Sequence, residues 1–265
     1  MAFTAVIVVL LSVVFHASWN ARIHKMNSPD IVLILSYFIV GLLCFPFLLV
    51  DPPTGVIKFL IPSALAQSIY MWMLGTAYRD GSLGIAYPIS RGTAPLLIGI
   101  GGWVFLSETP SMPTILGLIT LVIGLFILAG LGQKIGERKA VLMAAVSGLA
   151  TVGYSLLDAR AVDETNPLSY FSVIALMSST TVLCCRRIPF ARIKQSFFPA
   201  ATIGALQGGS YLLILLAFRW AQAGQVAGLR QLSIPLGVFL ASEALGKRSW
   251  TGVTLVAAGA ALVVW

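Results

Sequence analysis

The sequence predicts an all-α integral membrane protein of about ten transmembrane helices, arranged as two inverted repeats of five. Three observations lead there. Of 265 residues, 58% are hydrophobic and 10% charged, with a mean hydropathy of +0.94; a soluble domain cannot hide that much apolar surface. Apolar runs of roughly 15–22 residues recur from end to end, close to the length that crosses a hydrocarbon core. The first half of the chain also resembles the second.

The first run, 3–20, follows no basic segment, and Ala17-Ser18-Trp19 is a poor cleavage site, so this helix is expected to be retained. Ser28-Pro29-Asp30 opens the second run, 30–50, and Asp51-Pro52-Pro53 closes it. The third and fourth runs, 57–78 and 83–106, are parted by Asp80-Gly81, and Pro110 to Pro113 precedes the fifth, 113–131. The second set is 139–158, 167–185, 197–218, 223–242 and 250–265, punctuated by Asn166-Pro167 and by Arg186 to Pro189. The runs lack the alternation of barrel strands, and a spanning segment must pair its own backbone groups, so each is expected to be helical. Residues 1–132 form the first repeat and 133–265 the second, in one membrane unit.

A shift of 140 places Gln67, Ala77, Arg79, Gly84 and Pro95 on Gln207, Ala217, Arg219, Gly224 and Pro235. A shift of 135 places Gly117 and Gly124 on Gly252 and Gly259, Ser12 on Ser147, Trp19 on Tyr154, and Ser107-Glu108 on Ser242-Glu243. A duplicated unit with an odd number of spans enters the bilayer in opposite orientations. That is the architecture of many secondary transporters, with two nearly equivalent folds open to opposite sides.

The formal charge of +8 is no sign of nucleic acid, because the basic residues sit in short loops. Odd-numbered loops carry Arg22, Lys25, Arg79, Lys134, Arg138, Lys139, Arg186, Arg187, Arg192, Lys194, Lys247 and Arg248, against Lys58, Arg160 and Arg219 on the other side. Positive charge resists translocation, so the rich side is expected to be cytoplasmic, with both termini outside a plasma membrane of the bacterial inner-membrane kind. Cys44, Cys184 and Cys185 lie in or at the end of apolar runs and read as small hydrophobes.

His16-Ala17-Ser18-Trp19-Asn20 closes the first helix, and Ser-Glu turns recur at Glu108 and Glu243. Each turn is followed by a glycine-ruled helix, Gly117 to Gly124 and Gly252 to Gly259. With the five-plus-five repeat, these features make the chain resemble the drug/metabolite transporter superfamily, specifically its ten-helix EamA-type members, over essentially its full length. The resemblance implies export or exchange of small metabolites such as amino acids, through a central cavity lined by helices one, three and four of each half. Relatives with cytoplasmic termini are common, so the charge bias here departs from the resemblance.

Arg91 and Arg230 each lie about seven residues into a helix, roughly 10 Å from the surface. An arginine at that depth needs a cavity or a partner, and guanidinium is a rigid bidentate donor for carboxylate or phosphoryl groups; snorkelling to the interface is the plainer alternative. Pro95 and Pro235, a turn beyond, free a carbonyl and bend the helix, a hinge at the cavity or a tolerated kink. Gln67 and Gln207 must bond to solute or to a neighbouring helix. Trp19, Trp72, Tyr87, Tyr154 and Tyr211 are candidate cavity walls, and His16 a candidate for solute or proton. The glycines at 117, 124, 252 and 259 are expected to pack the fifth and tenth helices together, within one monomer or across a homodimer.

Every acid, Asp158 included, falls at an expected helix end or loop, which disfavours cation efflux and coupling through a central carboxylate. The resemblance supports that reading: the small multidrug resistance proteins use a carboxylate inside their first helix, which here offers only His16. The sequence thus reads as a transporter of a small anionic or zwitterionic metabolite, with no cofactor or metal and no enzymatic role. Its partners are solute and lipid. The alternative, a membrane-embedded enzyme acting on a lipid-linked substrate, would need an interfacial His/Asp/Ser constellation, and no G-x-S-x-G or H-E-x-x-H occurs.

Overall fold

The computed structural model describes the chain outside residues 24–25, 81–82, 130–137 and 241–246, and its side chains also outside 77–93, 129–141, 144, 238 and 241–249. Among the described residues every regular element is helical: α1 (Phe3–Ile23), α2 (Pro29–Leu43), α3 (Phe45–Val50), α4 (Ile57–Asp80), α5 (Leu83–Phe105), α6 (Met112–Ala129), α7 (Arg138–Val162), α8 (Pro167–Cys185), α9 (Phe190–Phe218), α10 (Ala223–Arg230), α11 (Ser233–Leu240) and α12 (Lys247–Val263), with a 3-10 turn at Thr54–Val56.

Local chemistry sets the ends. Pro29 and Pro167 sit in first turns, where a missing N–H costs nothing, and the Asn166 side chain accepts from Leu168 N at 2.9 Å to cap α8. Pro46 has no N–H to offer Leu42, and the second expected run divides at Cys44 into α2 and α3. The ninth run divides likewise, at Gln231 and Leu232, one turn before Pro235. The carbonyl that Pro235 frees, that of Gln231, is taken by Ile234 N at 2.9 Å, so it does not stand open to a cavity. Pro95, by contrast, lies inside a continuous α5.

Two expected ends move. α9 starts at Phe190 rather than 197, because polar Arg192 and Lys194 extend the helix beyond its apolar part. α7 runs on to Val162 rather than stopping at 158, helped by an Arg160–Glu164 pair of 2.5 Å spaced i,i+4. Asp158 is therefore inside a helix.

Phe3–Ile23, Thr54–Thr76, Pro167–Cys185 and Phe190–Phe218 are each long and apolar enough to cross a membrane. The polarity is inside out. Leu10, Leu11, Ile61, Leu65, Ile69, Trp103, Leu116 and Ile119 are exposed, while Ser12, His16, Ser36, Ser63, Gln67, Asp158, Ser172 and Gln207 are buried. Such an apolar exterior suits lipid. The chain is an all-α membrane protein.

α9 packs against α1 and α2, α4 against α7 and α8, α5 against α7 and α10, and α6 against α12. Polar clasps fasten the long-range pairs: Ser12 Oγ donates to Ser210 O at 2.8 Å and Ser210 Oγ to Ser12 O at 3.0 Å, and Ser172 Oγ donates to Gly41 O at 2.8 Å. We call the end where α2 begins and α8 ends the lower end, and the end where α4 begins and α7 ends the upper end.

Glycines let α6 and α12 touch backbone to backbone within one chain. A Cβ at Gly117 would fall 2.7 Å from the Gly259 carbonyl oxygen, and one at Gly259 equally close to that of Gly117. Gly124 and Gly252 repeat the contact at 3.0 Å in both directions. These faces are thus filled inside the monomer. Gly259→Leu should overpack the crossing and cost about 1–3 kcal/mol or more. Gly153→Ala, with nothing within 4 Å of its Cβ, should stabilise by up to about 1 kcal/mol. Thermal unfolding in detergent reads both, and equal midpoints for the two variants would contradict the packing.

Candidate functional site

The buried polar groups converge on one chamber among α1, α2, α4, α7, α9 and α10, lined by His16, Trp19, Leu33, Tyr37, Gln67, Tyr70, Met71, Tyr154, Gln207, Tyr211 and Arg230. Its volume of about 40 Å³ admits a few waters, since one needs about 10–15 Å³. An organic solute does not fit until helices move apart.

The walls are aromatic. Tyr70 meets Tyr154 edge-on at 5.7 Å, Tyr154 meets Tyr211 at 5.9 Å, and Tyr37 lies 6.2 Å from Tyr211. Trp19 stands against His16 at 4.9 Å, and its buried Nε1 has no hydrogen-bond partner among the described residues. Arg230 ends α10, where its charge opposes the helix dipole favourably. The guanidinium lies 5.7 Å from the Tyr211 ring centroid, and its buried Nε likewise has no partner among the described residues. A cation over an aromatic face, with an unused donor, is poised for an anion.

Behind the upper wall lies Asp158, fully buried. Its Oδ1 accepts from Ser63 Oγ and from Tyr170 OH at 2.7 Å. Its Oδ2 accepts from Tyr211 OH and from Gln67 Nε2 at 3.1 Å. Gln67 in turn accepts from Tyr37 OH at 2.7 Å. One carboxylate thus joins α7 to α4, α8 and α9; a second cavity, a vestibule at the upper end, is lined by Asp51, Asp163, Glu164, Asn166, Leu212, Leu216 and Arg219 among others.

At the lower end Arg186 Nη2 donates to Asp30 Oδ2 at 2.8 Å, both side chains nearly buried, with Gly75 of α4 close against them. A third tether holds α10: Glu108 Oε1 accepts from Ala223 N at 2.7 Å, anchoring the start of the helix that carries Arg230. Burial pushes the Glu108 carboxyl above its usual range, and the α10 amides pull it back. This gives the Ser-Glu turn of the first half a physical task; Glu243 lies outside the described residues.

Of the residues expected to bind solute or wall the cavity, His16, Trp19, Gln67, Tyr154, Gln207, Tyr211 and Arg230 meet in the chamber. Arg91 and Tyr87 lie on α5, outside the described side chains. Gln207 is tied to α2, accepting from Ser36 Oγ and donating to Leu33 O at 3.3 Å. Trp72 is part-exposed and lines no part of the chamber. Tyr37, Tyr70 and Asp158 were missed as site residues. The expectation that no acid lies within the bundle is corrected by Asp158, whose helix was ended too early; the Arg160–Glu164 spacing was the available signal.

Fold and chamber together define a helical membrane protein with an aromatic-walled chamber that carries a few buried polar groups among its helices. No family model matches the chain. It is similar to the "Uncharacterized transporter YwfM" of Bacillus subtilis, 24% identical over 208 residues, covering 74% of this chain and 70% of that one. A crystal structure shares the fold, with a TM-score of 0.76 over 97% of this chain and 95% of the other, at 13% identity.

Asp30→Ala should leave Arg186 buried and unpaired, costing about 3–5 kcal/mol, whereas Asp30→Leu combined with Arg186→Met should recover most of that. Thermal unfolding of the single and double variants tests it. A single variant within about 1 kcal/mol of wild type would show that the pair does not behave as a buried one.

Proposed function

We propose that the chain is a secondary transporter of the drug/metabolite transporter superfamily, EamA type, moving a small zwitterionic or anionic, amino-acid-like metabolite by alternating access, in export or exchange. The observation that carries this reading is Arg230, a half-buried arginine in an aromatic-walled chamber whose Nε is buried and, among the described residues, has no hydrogen-bond partner. The solute's carboxylate accepts from Arg230, and an ammonium end faces the tyrosine rings. Gln67, Gln207, His16, Trp19 and Tyr154 complete the proposed site, with Arg91 and Tyr87 contributed by α5.

The similarity to a protein named as a transporter supports the class. The packing supports the inverted repeat. Counting α2 with α3 and α10 with α11 gives ten spans, and exchanging the halves turns the contacts of α4 with α7 and α8 into those of α9 with α1 and α2. The α5–α10 and α6–α12 contacts map onto themselves. Met1 lies against Val264 O at 2.6 Å, as expected if both ends share one face. The loop charges make the lower end cytoplasmic and the upper end, with both termini, external.

Reconstituted protein should exchange a labelled L-amino-acid mixture in counterflow. Arg230→Ala should weaken that exchange roughly ten- to hundredfold in KM, the worth of a charge-assisted hydrogen bond. Unchanged exchange in the variant would remove Arg230 from the site.

A further inference from the structure

We infer that Asp158 is a proton-binding site whose occupancy opens the upper seal, so that the movement of solute is exchanged for protons; this rests on the transporter reading above. Three observations on the carboxylate carry it. First, among the described residues it has no ion-pair partner, whereas the chain's other deeply buried acid, Asp30, is matched by Arg186. A buried carboxylate needs a cation, a full set of donors or a proton. Four donors hold it here.

Second, the donors divide by position. Ser63 and Tyr170, bonded to Oδ1, do not line the chamber, while Tyr211 and Gln67, bonded to Oδ2, both do. Any solute that turns Tyr211 or the Gln67 amide takes a donor from Oδ2. That oxygen is then left with one donor of its two in a buried setting, and a proton relieves it. The reverse holds as well. When Oδ2 takes a proton from hydronium it becomes a donor with reduced acceptor capacity, and the Tyr211 hydroxyl turns to accept from it.

Third, the carboxylate fastens four helices near the upper end. It lies four residues before the end of α7 at Val162, about 6 Å of rise, so the upper side is its shorter route to water. The step balances: H3O⁺ and carboxylate give water and the carboxylic acid, and release reverses it.

The groups that face it are the phenols of Tyr37 (α2), Tyr154 (α7), Tyr170 (α8) and Tyr211 (α9), with Arg230 (α10) and His16 (α1) across the chamber. From α4 come uncharged Ser63 and Gln67. The α5 side chains over 83–93, Arg91 among them, are outside the described set.

The test uses full-length protein in liposomes with the membrane potential clamped, a labelled L-amino-acid mixture, and a pH-sensitive dye trapped inside. Wild type should accumulate label on the acidic side, about tenfold per pH unit for one proton exchanged, with matching proton movement. In Asp158→Asn, counterflow under a pH gradient should show no more accumulation than without one. Equal gradient-driven accumulation in Asp158→Asn and wild type overturns the inference. So does wild-type counterflow indifferent to pH, which leaves the transporter reading intact. No wild-type counterflow at all removes that reading and the inference together. Should Asp158→Asn fail to fold, infrared difference spectra between acidic and alkaline buffer replace it. The carboxylic C=O band of wild type should shift in Asp158→Glu, and a band that stays in place overturns the assignment.

Discussion

A carboxylate taken out of water inside a membrane protein costs several kcal/mol unless the protein replaces the lost hydration. Asp158 meets that demand with hydroxyls and an amide from α4, α8 and α9. The relative placement of four helices is thereby fixed by one side chain. Tyr211 and Gln67 are held in the roles that make them chamber walls, and Tyr37 is held through Gln67. The site and its closure depend on the same bonds.

The lower end is tied by different means. There, two full charges, Asp30 and Arg186, pair directly in near-complete burial. A buried ion pair adds little net stability over an apolar contact, but it is costly to break by halves, which suits a contact that must be either made or absent. The upper seal is a network of neutral donors on one anion and can loosen by turning hydroxyls. Between them the chamber offers about 40 Å³, and the proposed alternating access requires it to widen toward each end in turn.

The sequence made the membrane class plain because hydropathy and spacing are local properties. The glycine pairs were readable for the same reason: Gly117/Gly124 and Gly252/Gly259 form a ridge on any helix. Seven chamber residues are legible in the sequence, several because they repeat across the halves or are costly in lipid, as Gln67, Gln207 and Arg230 are. Tyr37 and Tyr70 carry no such mark. A tyrosine is at home at an interface, in a core or on a wall, and only the packing of α2 and α4 decides. Asp158 is placed at a helix end by the sequence because the apolar run stops there, whereas α7 continues to Val162 and buries it against neighbouring helices. Pro95 and Pro235 look alike in sequence yet only the second lies beside a break; we have no physical account of that difference.

The claim that Asp158 closes the upper end can be measured without knowing the solute. Spin labels at Asp51 and Arg219, both on the upper vestibule, report one mouth; labels at Asn27 and Gln195, which flank the lower end, report the other. In wild type each pair should give one narrow distance distribution. In Asp158→Asn the upper pair should broaden toward longer distances while the lower pair stays as it was. An upper pair that does not move, or two pairs that loosen together, would contradict a seal built on that carboxylate.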